Sequence, residues 1–219
     1  MSVKISVVMA SFLGEYEFSA GDRIRKFHRA IDSFINQTHK NSELIIVSDG
    51  CETTKKEYQD KYYHNPNIHL FESGKQPHFS GTIRNIGCFM ATGDIISYLD
   101  TDDFLGINHL SSIAKGFQYY KDNHIHIDWV YFDDQIVYRF NPTNNEVLSI
   151  AQREVKLHFG TIGTSSIAHR KLPEYNWLGC DGYNHDWTFV KRLIDSGKQG
   201  KKIDGGEYRV CHIPTQVDC

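Results

Sequence analysis

An α/β domain with a mainly parallel central sheet flanked by helices is the fold class this sequence predicts, and three observations carry it. Short β-rich runs alternate with amphipathic helical stretches over the first 120 residues, in the order βαβαβαβα. Strand, helix and strand in succession imply right-handed crossovers and parallel pairing. Acidic residues then fall where strands stop, although Asp is a poor strand former. In an open α/β sheet the carboxyl ends of the strands are where ligands bind.

Val3 to Met9 is the first strand, ending in Ala10-Ser11-Phe12. The polar and aromatic loop from Leu13 to Gly21 is expected over a surface cleft. Asp22 starts a helix whose Ile24, Phe27, Ile31, Phe34 and Ile35 share one face. Leu44 to Val47 is an apolar strand ending in Ser48-Asp49-Gly50-Cys51. A polar helix over Thr53 to Tyr63 and a weaker strand over Asn67 to Phe71 follow. Thr82 is the expected N-cap of the next helix. Its Ile83, Ile86 and Met90 face the core, while Arg84, Gly87, Cys88 and Ala91 form a second face of mostly small residues suited to close packing. Leu110, Ile113, Ala114 and Phe117 mark one more amphipathic helix. Beyond it the pattern loosens. Trp129 to Phe132 and Gln135 to Phe140 read as strands, and residues 141–145 as a turn cluster. His158 to His169 shows little periodicity, as expected of a segment lining a site. Asn184 can cap a helix that turns Val190, Leu193 and Ile194 inward, and Tyr208 to Ile213 is a last short strand.

The most informative stretch is GDIISYLDTDDFL at 93–105. Ile95, Ile96, Tyr98 and Leu99 read as a buried strand that ends in Asp100, Asp102 and Asp103. Side chains at i and i+2 of an extended segment point the same way, so Asp100 and Asp102 can face one cation. Acids this close repel unless something positive is shared among them. Hard divalent ions that bind phosphate oxygens suit such oxygen ligands. Asp103 alone can instead cap the following helix.

Composition narrows the function classes. A chain of 219 residues suits one domain with a sizeable core, and 40% hydrophobic with 23% charged residues is ordinary for a soluble protein. A net charge of −3 gives no basic surface for nucleic acid. No apolar run reaches the length of a membrane span, and the N-terminus lacks the apolar core of a signal peptide. Five cysteines without metal-like spacing read as free thiols of a reducing cytoplasm.

Four separated pieces, ISVVMASF at 5–12, INQTHKNSELIIVSDGCETT at 35–54, GTIRNIGCFMATGDIISYLDTDDFL at 81–105 and HDWTFVKRLIDSG at 185–197, carry a resemblance in order and spacing. They resemble the family 2 glycosyltransferases, whose catalytic domain has the GT-A (nucleotide-diphospho-sugar transferase) fold. The resemblance implies one domain over 1–219, with a nucleotide-binding half at 1–120 and an acceptor-binding half at 121–219. It assigns Ser11 and Phe12 to the nucleotide base, and Asp49 to a hydrogen bond with that base. Ser48 and Cys51 replace the usual acid and serine around it. Arg84 matches an arginine near the nucleotide, where a planar cationic fork suits ribose or phosphate oxygens. Asp100 would lie near ribose and metal. Asp102 would ligate Mn²⁺ or Mg²⁺ on the diphosphate, with His212 as a further metal ligand or else a neutral core histidine.

Asp186 matches the general base that takes the acceptor proton in an inverting displacement, against a plainer reading as a first-turn helix acid. On the acceptor side the resemblance points to Asp103, to His185 in place of the usual Glu, and to Trp187, which could equally be a core tryptophan. The expected partners are a nucleoside-diphosphate sugar, a UDP-sugar first, and a glycan or lipid-linked sugar acceptor. The expected setting is the cytoplasm, with transient contact at the inner membrane face. Two alternatives stay open: an Asp-x-Asp phosphatase and a nucleotide-sugar-binding GT-A domain without turnover. The phosphatase motif ordinarily follows the first strand and carries Thr or Val where this chain has Phe104.

Overall fold

The computed structural model describes residues 2–77, 80–141, 146–180, 182, 184–213 and 217–219. Its first half runs β1 (Ile5–Ser11), α1 (Arg23–Ile35), β2 (Ser42–Asp49), α2 (Glu52–Lys61), β3 (Ile68–Ser73), α3 (Gly81–Met90) and β4 (Ile95–Tyr98). Then come β5 (Phe104–Leu105), α4 (His109–Asp122), β6 (Trp129–Tyr131), β7 (Asp134–Asn141), β8 (Glu146–Arg153), β9 (Ile167–Arg170) and α5 (His185–Asp195). The short strands β10 (Gly200–Lys202), β11 (Tyr208–Val210), β12 (His212–Ile213) and β13 (Val217–Asp218) close the chain.

The main sheet has seven strands in the order β10-β6-β9-β4-β1-β2-β3. Strands β3, β2, β1 and β4 are mutually parallel, and the order reverses at β1, between β2 and β4. Alternate residues along each strand feed opposite faces. Val7, Met9, Leu44 and Ile46 join Phe27, Ile31, Leu110 and Ile113 in one core layer. Val8, Ile45, Val47 and Ile96 join Ile83, Phe189 and Val190 in the other. Such double covering explains why β1 and β2 read as nearly continuous apolar runs. Helix α3 lies close on the sheet because Gly87 has no side chain; a Cβ there would collide with Val8 Cγ1.

Several local expectations need correcting. Helix α3 begins at Gly81 with Ser80 at the cap position, so Thr82 is inside the helix. The aperiodic stretch at 158–169 contains most of β9, which enters antiparallel between β4 and β6. Strand β8 also escaped the sequence reading; it pairs antiparallel with β7 beside β11 and β5 in a second, four-stranded sheet. Of the expected turn cluster at 141–145, Asn141 ends β7 and the remainder lies outside the described residues. Among the described residues no helix is long and apolar enough to cross a membrane, and no disulfide joins the cysteines.

One buried acid ties the amino-terminal ends of these strands together. Glu43 accepts hydrogen bonds from Ser6 Oγ at 2.5 Å, the Thr92 amide at 2.6 Å and Lys4 Nζ at 2.9 Å. Burial alone would raise its carboxyl, but these donors outweigh that and hold it down at about 2. A depressed folded pKa contributes stability above the unfolded value of about 4.3 and loses it as pH falls toward the folded one. Glu43→Gln is therefore expected to cost about 2 kcal/mol at neutral pH, read by urea unfolding, with the gap to wild type closing between roughly pH 4.5 and 2.

Candidate active site

The carboxyl ends of β1, β2 and β4 and the first turn of α5 converge on one edge of the sheet. Ser11 is buried and its hydroxyl meets Thr54 Oγ1 at 2.9 Å, so its backbone alone is left to contact a ligand. The carbonyl of the next residue, Phe12, accepts from Arg23 Nη2, and Lys75 Nζ lies 4.1 Å from the Phe12 ring centroid. Asp49, at the end of β2, accepts the Gln76 amide at 2.7 Å and pairs with Lys75. Ser48, which replaces an acid, closes the turn after β2 by accepting the Cys51 amide at 3.1 Å. Gly50 holds a left-handed φ of 61°, and a Cβ there would press on the Lys75 backbone 2.5 Å away.

Arg84 is the hub. Its side chain is 5% exposed. Nη2 donates to Asp100 Oδ1 at 2.8 Å, and Nη1 lies 2.6 Å from His185 Nε2 and 3.4 Å from Asp186 Oδ1. Burial disfavours its charge, but Asp100 and Asp186 more than offset that and raise its pKa. A surface salt bridge, the plain reading of an isolated Arg, is ruled out by this burial. Asp186 sits in the first turn of α5, with its side chain 28% exposed. Burial pushes its carboxyl up, yet the His185 ring, the Arg84 charge and the Thr164 amide together bring it below the ordinary carboxylate range. His185 is oriented by Nδ1, 2.9 Å from the Gly182 carbonyl, and its Nε2 lies 2.9 Å from Asp186 Oδ1.

The three acids after β4 divide. The Asp100 side chain is 35% exposed, and its amide donates to Tyr208 Oη at 3.0 Å. Asp102 is raised by burial first and by repulsion from Asp100 second, while His212 and Arg23 oppose both. Asp103 turns into the core, where Oδ1 accepts the Cys211 amide at 2.8 Å. It therefore neither caps α4, which starts at His109, nor is exposed to an acceptor. His212 Nε2 lies 2.9 Å from the Phe18 carbonyl. Its Nδ1 is buried without a hydrogen-bond partner among the described residues, the Asp218 carboxylate standing 3.7 Å away.

Among the described residues no three His, Cys, Asp or Glu side chains are gathered closely enough to hold a metal ion by themselves. The donor set nevertheless fits a hard divalent cation, which keeps several waters and needs few protein ligands. Asp100 and Asp102 are neighbouring carboxylates, and the buried His212 Nδ1, on a ring within electrostatic reach of Asp102, has no hydrogen-bond partner among the described residues. A ligating histidine typically gives its other N–H to a backbone carbonyl, which Nε2 does here.

With this geometry in hand, comparison with known proteins is decisive. The family model described as glycosyl transferase family 2 matches residues 23–172. The chain belongs to that family. Among curated relatives, the uncharacterized glycosyltransferase MJ1057 of Methanocaldococcus jannaschii is 27% identical over 208 residues, covering 87% of this chain and 69% of that protein. The uncharacterized glycosyltransferase YwdF of Bacillus subtilis is 25% identical over 215 residues, covering 97% and 72%. Among solved structures, TarS 1–349 of S. aureus in complex with UDP-GlcNAc superposes with TM-score 0.62 at 14% identity, covering 98% of this chain and 60% of that one. The mannosyltransferase PcManGT of Pyrobaculum calidifontis, in complex with GDP-Man and Mn²⁺, gives 0.63 at 12% identity, covering 96% and 57%. The fold is thus that of the GT-A transferases, and the chain spans about three fifths of these two solved transferases.

In this family 2 transferase the sequence missed several residues that shape the site. Arg23 and Arg29 lie in the basic run Arg23 to Arg29, which amphipathicity absorbed into α1; Arg29 Nη2 donates to the Asp102 carbonyl at 2.6 Å. Lys75 sat in a loop with no pattern to single it out. Tyr208 marked only a last strand. Trp187 is partly buried against the α3 and α5 core and also borders an open groove with Asn184, Thr188 and Lys191.

Proposed function

We propose that this chain is a divalent-metal-dependent, inverting glycosyltransferase. It moves a hexosyl group from a nucleoside-diphosphate sugar to a hydroxyl of a glycan or lipid-linked acceptor. The single observation that carries this reading is the Arg84 bridge, in which a buried guanidinium ties Asp100 of the acidic strand end to Asp186 of α5, both carboxylates being partly exposed. Asp100, Asp102 and His212 would hold Mn²⁺ or Mg²⁺, and a bound cation would draw off charge developing on the departing diphosphate. Ser11, Phe12 and Asp49 border the space for the base. Asp186, held ionised by its neighbours, takes the proton of the acceptor hydroxyl while that oxygen attacks the anomeric carbon opposite the diphosphate. His185 and Arg84 fix the direction of its carboxylate, and Trp187 flanks the acceptor side. The complexes of TarS with UDP-GlcNAc and of PcManGT with GDP-Man and Mn²⁺ support a nucleotide-sugar donor and a divalent metal; a UDP-sugar is our first assignment. A cytoplasmic enzyme reaching its acceptor at the membrane face completes the reading. The phosphatase alternative is set aside, because the family match runs through the Asp-bearing strand, fourth in the chain.

Donor hydrolysis tests this without knowledge of the acceptor. Incubated with UDP-, GDP-, dTDP- and CDP-sugars and Mn²⁺, the chain is expected to consume one class. The freshly released sugar should show, by NMR, an anomeric configuration opposite to the donor's. EDTA should abolish turnover, and added Mn²⁺ or Mg²⁺ should restore it. Retained configuration, or turnover indifferent to EDTA, would contradict the mechanism.

A further inference from the structure

The arginine that the family resemblance places near the nucleotide is already committed, since both terminal nitrogens of Arg84 engage Asp100, His185 and Asp186. The structure offers another fixed cation at the same edge. Arg23 opens α1 beside the base edge, its Nη2 bound to the Phe12 carbonyl and its Cζ 4.7 Å from the Tyr16 ring centroid. Its Nε and Nη1 are buried and have no hydrogen-bond partner among the described residues. A guanidinium carries five N–H donors and no acceptor, so these two nitrogens can be satisfied only by acceptor oxygens. Arg23 is also close enough to Asp102 for its charge to be felt there, as is His212.

The unmet demands around Asp102 are complementary. Asp102 calls for a cation, and the buried His212 Nδ1 near it has no hydrogen-bond partner among the described residues, with the Asp218 carboxylate 3.7 Å away. Arg23 calls for an anion. A diphosphate carrying a divalent ion is a ligand that meets both at once, whereas a neutral sugar or a lone anion meets only one. Resting on the donor reading given above, we propose that Arg23 is a diphosphate-binding residue. Its Nε and Nη1, on separate edges of the guanidinium, each donate to a phosphate oxygen of the donor, while Nη2, between them on the Phe12 carbonyl, sets the plane of the guanidinium against the base edge. The same donors stay on the oxygens as negative charge builds on the leaving diphosphate. A planar guanidinium holds its donors in fixed directions in a way that a lysine ammonium does not.

The test separates phosphate recognition from base recognition. Titration calorimetry with Mn²⁺ would compare UDP, GDP, CDP and dTDP with the corresponding nucleosides, for wild type, Arg23→Ala and Arg23→Lys. The expected result is that Arg23→Ala weakens the preferred diphosphate by about tenfold or more, the scale of a charge-assisted pair. Its nucleoside should bind as it does to wild type, and Arg23→Lys should recover part of the loss. Two outcomes would overturn the proposal: undiminished diphosphate binding by Arg23→Ala, or equal weakening of diphosphate and nucleoside, which would mean that Arg23 acts only through the Phe12 carbonyl. Absence of any nucleotide binding by wild type is a distinct result; it would remove the donor reading itself and this assignment with it.

Discussion

Replacing Asp186 with Asn is expected to lower transfer by roughly a thousandfold while donor binding stays at the wild-type level. The carboxylate sits where Arg84, His185 and the Thr164 amide hold it, and an amide of the same shape keeps much of that framework without the proton affinity. Because these partners bring its carboxyl below the ordinary range, Asp186 is ionised throughout neutral pH. The rate should therefore show no acid limb from Asp186 as pH falls from 7 toward the unperturbed Asp value of about 3.9. The same linkage applies to stability: a depressed carboxyl contributes above its unfolded pKa and loses the contribution as pH falls through the folded one. Steady-state rates from pH 5 to 8, with binding measured in parallel, check both statements. A mutant that binds donor poorly and turns over what it binds normally would show Asp186 to be a binding residue instead.

Arg84→Ala should be the most damaging single change to both fold and site. Removing one partner of a buried ion pair leaves the other charge uncompensated, which costs about 3 to 5 kcal/mol when both are fully buried. Here the two acids keep 35% and 28% exposure, so solvent screening reduces the expected loss to about 2 to 3 kcal/mol. The deficit should be largest at neutral pH, where Asp100 and Asp186 repel. It should shrink in acid, as Asp186 takes a proton. Arg84→Lys keeps the charge but cannot span two carboxylates and an imidazole, so it should fall between wild type and Ala. Urea denaturation at pH 7 and pH 4 measures this. A loss under 1 kcal/mol at neutral pH would show that the acids are held apart by something else.

The first half of the fold was legible because its signals are local. Strands β1 and β2 carry the apolar runs Val7 to Ala10 and Leu44 to Val47, α1 and α4 have regular periodicity, and the Gly-Asp before β4 punctuates the strand. Strand β9 was not legible. Ile167 to Arg170 is too short for a periodic signal, and its place between β4 and β6 is fixed by antiparallel partners far away in the chain. The site divides similarly. Two-residue alternation predicted that Asp100 and Asp102 share one side. However, β4 ends at Tyr98 and the Asp103 amide turns back to the Asp100 carbonyl at 3.3 Å, so the acids lie on a turn and not on an extended segment. Nothing local shows that Asp103 turns inward to meet the Cys211 amide 108 residues later. Nor could spacing show that Arg84 bridges Asp100 and Asp186, or that the basic run in α1 leaves Arg23 with buried, unmet donors.

The most direct single measurement is the Mn²⁺ dependence of nucleoside-diphosphate binding by titration calorimetry, for wild type, Asp102→Asn and Asp186→Asn. Binding that Mn²⁺ strengthens in wild type and in Asp186→Asn, but not in Asp102→Asn, is the predicted pattern, with transfer lost in both mutants. Binding of equal strength with and without Mn²⁺ in all three proteins, or wild-type transfer by Asp186→Asn, would contradict a shared site of cation-bound diphosphate and base.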